Sequence, residues 1–189
     1  MSYHIILGVT GSIAAYKAVE IVSSLVKQGN QVSVIMTSNA RHFVNPTTFR
    51  SISKSRVITD LFIDDDDFDP QHISLAEHAD LIVVAPATAN FIGKVASGIA
   101  DDALTCTVMA ARSPVIIAPA MNDSMYLNPI VQENIRRLTR FGYIFIEPEE
   151  GRLCTGKTGI GRLAALETII PIIKETLDKK KEINAYRAS

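Results

Sequence analysis

Cysteine occurs only twice, at Cys106 and Cys154, so there is no disulfide framework to read and the usage fits a reducing compartment. Neither charge is in excess: 19 Lys and Arg against 20 Asp and Glu leave a formal net charge of −1. So balanced a chain projects no global field toward nucleic acid or an acidic membrane surface. No apolar run approaches the ~20 residues of a membrane span. The N-terminus lacks a basic segment followed by an apolar one, and no secretory signal is read there. A soluble cytoplasmic protein with neither nucleic acid nor membrane as partner is expected. What is present is an ordinary globular composition, 47% hydrophobic and 21% charged over 189 residues. That length suits a single domain with a full-sized core.

Tyr3 to Thr10 reads as a short apolar strand, and Gly11-Ser12 turns it into a helical pattern from Ile13 to Lys27. Gly29 is a stop signal, and Gln31 to Met36 makes a second buried strand. Strand, turn, helix and strand in this order form a βαβ unit, whose crossover makes the strands parallel. The continuous apolar runs Leu81–Ala85 and Val115–Ala118 suit parallel strands covered on both faces, and Tyr143–Ile146 adds another. Helical stretches are expected at 39–44, 46–53, 91–97, 102–112, 129–141 and 164–181, with an exposed acidic loop at 64–69. The expectation is one α/β domain over 1–178, a doubly wound parallel sheet of five or six strands, followed by a frayed polar tail at 179–189.

In such sheets ligands sit beyond the carboxyl ends of the strands, where strand order reverses. Segments 10–12, 37–38, 86–90 and 119–122 all follow strands and should line one crevice. Gly11-Ser12-Ile13 can present backbone N–H groups and a hydroxyl to a phosphate at a helix N-terminus, or can simply be a tight turn with a serine cap. It is not a dinucleotide fingerprint, because the second and third glycines are missing. Gly151 to Thr158 spells the P-loop expression, yet Gly159 and Gly161 follow at once and disfavour the helix that a P-loop requires. A flexible loop or lid suits these glycines better.

Four histidines occur, at 4, 42, 72 and 78, and none has metal-ligand spacing, so no metal is expected. His72 opens Ile73-Ser-Leu-Ala after Pro70-Gln71, where a neutral imidazole can serve as a base. Cys106 falls in an apolar helical stretch and reads as inert core; Cys154 lies in the glycine-rich segment, where access favours reactivity. Met121 and Asn122 follow a central strand and suggest a ligand wall, since an amide can donate to a carboxylate and keep the site neutral.

Gly11-Ser-Ile-Ala14, His72-Ile73, Pro86-Ala-Thr-Ala-Asn90, Gly98 to Thr105, Pro119-Ala-Met-Asn-Asp-Ser-Met-Tyr126 and Gly159-Ile-Gly-Arg-Leu163 come in order along the chain. In these segments residues 3–178 resemble the flavin-containing cysteine decarboxylases, and particularly the phosphopantothenoylcysteine decarboxylases of coenzyme A synthesis. The match to Pro-x-Met-Asn-x-x-Met-aromatic is the most specific.

The resemblance implies a flavodoxin-like fold that binds FMN and assembles as trimers, or dodecamers built from trimers, with each site at a subunit boundary. It implies that Gly11, Ser12 and Ile13 hold the FMN phosphate with Ser38, that Thr88, Ala89, Asn90 and Phe91 line the flavin, and that Ala120 lies beside it. His72 would be the base, and Asn122, flanked by Met121, would grip the substrate carboxylate. The segment from Gly151 to Arg162 would close over the substrate, with Cys154 as proton donor. The implied reaction is decarboxylation of 4′-phosphopantothenoylcysteine to 4′-phosphopantetheine. It is redox-neutral, and the cofactor carries its difficult part.

One departure bears on the product. The family pattern Leu-Ala-Cys-Gly puts its cysteine seven residues before the arginine, whereas Cys154 stands eight before Arg162 and Thr155 takes the aligned place. A one-residue shift moves the chain by only ~3.5 Å. If the thiol does not reach, the enethiol is released, as the related peptidyl-cysteine decarboxylases of lantibiotic synthesis do. A non-catalytic, flavin-binding regulatory subunit is the remaining alternative, against which His72 and Asn122 both speak.

Overall fold

The computed structural model describes residues 2–61, 71–152 and 156–188, leaving aside the side chains at 71–73 and 183–188. The expected acidic loop at 64–69 and Cys154 lie outside the described residues, as does the side chain of His72.

Six strands form the sheet: β1 (His4–Val9), β2 (Gln31–Met36), β3 (Val57–Ile58), β4 (Leu81–Ala87), β5 (Val115–Pro119) and β6 (Ile144–Phe145). Their spatial order is β3-β2-β1-β4-β5-β6, and every pairing is parallel. Without the two-residue edge strand β3, the remaining five follow the 2-1-3-4-5 order of a flavodoxin-like sheet. Strand order reverses between β1 and β4, where a crevice opens.

The helices are α1 (Ala15–Lys27), α2 (Pro46–Ser53), α3 (Gln71–His78), α4 (Ala89–Ala96), α5 (Ala103–Ala110), α6 (Asp123–Tyr126), α7 (Pro129–Arg140) and α8 (Leu166–Ala188). Alternation along the strands sends side chains to opposite faces. Ile5, Leu7, Val34 and Val83 face α1, α2 and α8 through Ile21, Phe49, Ile169 and Ile173. Ile6, Ile35, Ile82 and Val84 face α4, α5 and α7 through Ile92, Leu104, Val108 and Leu138. The two buried faces account for the unbroken apolar runs of the central strands.

Several boundaries differ from the sequence expectation for local reasons. Helix α4 starts at Ala89, not Phe91, because the Thr88 hydroxyl caps it by accepting the Phe91 N–H at 3.4 Å. Helix α1 starts at Ala15, so Ile13 belongs to the turn. Helix α8 continues to Ala188, so the polar stretch expected to fray is helical along its backbone. The glycine-rich segment is not an irregular loop: β7 (Glu149–Arg152) and β8 (Thr158–Arg162) pair antiparallel. No helix starts at Gly156-Lys157, which removes the P-loop reading structurally. Among the described residues, no helix is long and apolar enough to cross a membrane.

Candidate active site

The crevice is built from the strand ends outward. Thr10, 1% exposed, follows β1 and donates its hydroxyl to Pro86 O at 2.8 Å while accepting the Thr88 N–H at 3.0 Å. This bridge fixes the loop after β4 against the loop after β1. Gly11 is required here by close approach, because a Cβ on it would meet the Asn39 backbone at 3.1 and 3.3 Å. The turns after β1 and β2 therefore press together and form the floor of the site.

Two adjoining cavities open above that floor, sharing Gly11, Thr88 and Met125. The larger, about 560 Å³, is lined by Ser12, Ile13, Ala120, Met121, Asn122 and Arg162 among others. The smaller, about 320 Å³, is lined by Thr37, Ser38, Asn39, Asn90, Phe91 and Lys94 among others. Each lies within the volume range of sites for cofactors and small ligands. The crevice segments expected from sequence thus meet in one place, with Ala89 alone of the expected cofactor residues lining neither cavity.

Asn122 caps α6 by accepting the Ser124 N–H on Oδ1 at 3.0 Å. That bond turns its amide nitrogen away from the helix end. The short helix is held from behind by the Tyr126 hydroxyl, which donates to Glu147; burial, and then this carboxylate, push the Tyr126 pKa up to about 12. Strand β8 is docked on the same loop, because Met121 donates its N–H to Gly161 O at 3.0 Å. Gly161 has φ +150°, and a Cβ there would run into Met121 O, so this contact needs glycine.

In the smaller cavity Lys94 Nζ reaches Asp101 at 2.7 Å and Asp102 at 3.3 Å, which hold its pKa above the ordinary lysine value. Asp102 also caps α5 reciprocally with Thr105. The Thr37 hydroxyl oxygen is buried without a partner in the structure. An orphaned hydroxyl beside Ser38 and Asn39 suits the polar, phosphate-bearing end of a flavin, while Ala120 and Met121 offer the apolar wall its ring needs. The residues present fit a flavin.

His72 lies on the backbone of α3, which packs against α5. Cys106 is half-buried rather than core: its thiol donates to Ala100 O at 3.3 Å, and burial, with Asp102 and Asp101, pushes its pKa up, leaving it a poor nucleophile. Among the described residues, no three His, Cys, Asp or Glu are grouped to hold a metal ion. Sequence reasoning gave no role to Tyr16 or Lys17 in the larger cavity, and reached Met125, Arg152 and Leu163 only as parts of longer segments. Lys17 was reachable, since it lies in the first turn of the helix expected after Gly11-Ser12. Arg152 was not, because its place depends on the hairpin.

The Flavoprotein family model matches residues 1–178. A coenzyme A biosynthesis bifunctional protein, CoaBC of Borreliella burgdorferi, is 50% identical over 177 residues, covering 94% of this chain and 45% of that protein. The chain therefore spans about half the length of that relative. A probable phosphopantothenoylcysteine decarboxylase of Streptococcus mutans is 44% identical over 94% of this chain and 100% of its own length. Among solved structures, the FMN-dependent cysteine decarboxylase SpaF is 32% identical with a TM-score of 0.82, covering 95% of this chain and 97% of that one. A PPC decarboxylase variant complexed with pantothenoylaminoethenethiol is 27% identical with a TM-score of 0.83, covering 94% and 100%. The chain belongs to the Flavoprotein family, among its flavin-dependent cysteine decarboxylases.

Proposed function

We propose that this chain binds FMN and decarboxylates 4′-phosphopantothenoylcysteine to 4′-phosphopantetheine, a step of coenzyme A biosynthesis in the cytoplasm. The observation that carries the reading is Asn122: its Oδ1 is committed to Ser124 N–H at 3.0 Å, so its Nδ2 donors are left for a ligand in the 560 Å³ cavity. A neutral donor there can hold a substrate carboxylate without stabilising its charge so far that CO₂ cannot leave.

FMN, when bound, supplies the electron sink that a carboxylate on a saturated carbon lacks. Gly11, Ser12, Ile13 and Ser38 hold its phosphate; Thr88, Ala89, Asn90, Phe91 and Ala120 border its ring. His72 removes the proton that accompanies oxidation of the cysteinyl carbon, the role a positioned imidazole base supplies. Met121 packs beside the reacting group and Arg162 closes the site from β8. Cys154 returns a proton from Sγ as the enethiol is reduced, which completes a redox-neutral cycle.

Self-association as a trimer, or a dodecamer built from trimers, is part of the same reading. Ile13, Tyr16, Met125, Leu127 and Ile130 are 48–72% exposed around the cavity mouth and on α6–α7. So many exposed apolar side chains near one opening fit a face that another copy covers. Light scattering of the purified protein tests this, and a monomer at micromolar concentration rules it out.

The one-residue offset of Cys154 from the family position favours a second reading, oxidative decarboxylation of a peptide's C-terminal cysteine. Incubation with each substrate and weighing of the products separates the two. The first reading expects turnover of 4′-phosphopantothenoylcysteine and none of the peptide; the reverse pattern overturns it.

A further inference from the structure

Asn122 stands at the head of a helix that cannot hold itself. α6 has four residues, too few to be stable without tertiary support. Two peptide N–H groups reach back to the Asn122 carbonyl, that of Met125 at 3.1 Å and that of Tyr126 at 2.9 Å. The place of Asn122 therefore depends on what fixes the far end of this one turn.

Tyr126 is fixed in three ways. Its side chain is buried, 6% exposed, in the apolar layer that holds Ile92 and Leu138. Its carbonyl accepts the Gln132 amide N–H at 2.7 Å, and its hydroxyl donates to the Glu147 carboxylate, 21 residues on. Glu147 is in turn tied to the sheet, since the preceding Ile146 N–H donates to Ile117 O at 2.9 Å. Ile117 lies in β5, the strand that runs out through Pro119 toward Asn122. The loop thus leaves the sheet at Pro119 and is tied back to it through Glu147.

The two sides of α6 are restrained differently. On the hairpin side the restraint is close packing: a Cβ on Gly159 would meet Asp123 Cβ at 2.9 Å, and one on Gly161 would run into Met121 O. Such contacts stop the loop from moving forward but do not hold it there. Apolar burial behind it is non-directional. A bond from a hydroxyl to a charged acceptor has direction, and it is the stronger kind.

We infer that Tyr126 is a positioning residue for the substrate carboxylate: its hydroxyl, seated on Glu147, sets how α6 presents the Asn122 amide. The inference rests on the decarboxylase reading above. Tyr126 acts through Asn122, and the Glu147 carboxylate acts through Tyr126.

The test uses FMN-loaded protein and the variants Tyr126→Phe, Glu147→Ala and Glu147→Gln. Tyr126→Phe and Glu147→Ala should each lower kcat/KM for 4′-phosphopantothenoylcysteine about tenfold, a fraction of what a full 1 Å misplacement costs. Glu147→Gln, whose amide oxygen still accepts, should stay within about threefold of the parent. Inhibition by 4′-phosphopantetheine, which lacks the carboxylate, should be unchanged in all three, whereas a general loosening of the site would weaken it too. In an Asn122→Ala background, Tyr126→Phe should cost less than about twofold more, because the two act as one unit. Parent-like kinetics, product inhibition that weakens as much as kcat/KM, or losses that multiply in the double variant overturn the positioning role and leave the reaction standing. Amide exchange at residues 125–127, followed by mass spectrometry, needs no turnover and should be faster in Tyr126→Phe than in the parent. Faster exchange in a protein that never turns over the substrate overturns the reaction and keeps the hold of Glu147 on α6; equal exchange overturns that hold.

Discussion

Thr10 Oγ1 accepts the Thr88 N–H at 3.0 Å, tying the loop after β1 to the loop after β4 at the point where strand order reverses. Thr10→Val keeps the shape and deletes the acceptor, leaving a Thr88 N–H to be satisfied in a part-buried position. The cost should be about 1–3 kcal/mol of unfolding free energy, with weaker flavin retention. Urea denaturation checks it, with Thr10→Ser as the control that restores the bond. Equal midpoints for valine and threonine would refute the bridge.

Gly161→Ala tests the docking of the hairpin. With φ at +150° and the Met121 carbonyl in the way, the new methyl must push β8 off the Met121 loop. Displacement of that kind should lower kcat/KM by roughly 100-fold while flavin absorbance and stability change little. Unchanged kinetics would show that β8 need not sit where it does.

Replacing the proposed base separates binding from chemistry. His72→Asn should keep the bound yellow flavin and lose decarboxylation by roughly 10²–10⁴-fold, the range for a positioned acid–base group. A variant that turns over at the parent rate removes His72 from the mechanism.

Cys154→Ser addresses the second half of the cycle. The variant should release an oxidised enethiol product, lighter by two hydrogens than the parent's, which mass spectrometry resolves. An identical product would assign the proton to Thr155 or to solvent.

Most of the sheet was legible because its strands are apolar on both faces: Gln31–Met36 and Leu81–Ala85 read as strands with no tertiary information. The loops that line the crevice follow from those strands. Other parts were not legible for physical reasons. β3 is two residues long, α6 is four, and neither can display a period. Gly151, Gly156, Gly159 and Gly161 break any alternation, so the β7–β8 hairpin reads as loop although the same glycines allow its close contacts. Arg152 reaches the site only through that hairpin.

The opposite end of the sheet gives a pH dependence. His4 is half-buried, with Nε2 at 2.9 Å from the Ser33 hydroxyl, and burial holds its pKa below 6.5 despite the His78 carbonyl and Asp80. A depressed histidine favours the fold when neutral, so its contribution is full above 6.5 and is lost as pH falls through the lower folded value. The melting temperature should therefore drop as pH falls below 6.5, and His4→Gln should flatten that slope. A variant as acid-sensitive as the parent would contradict this.

The central claim is a redox-neutral decarboxylation, and an anaerobic single turnover tests it most directly. FMN-loaded protein is mixed with one equivalent of 4′-phosphopantothenoylcysteine while the flavin spectrum is followed and the product is weighed. The product should be lighter than the substrate by CO₂ alone, with the flavin oxidised at the end. A product lighter by two further hydrogens with the flavin left reduced, or no product, would contradict it.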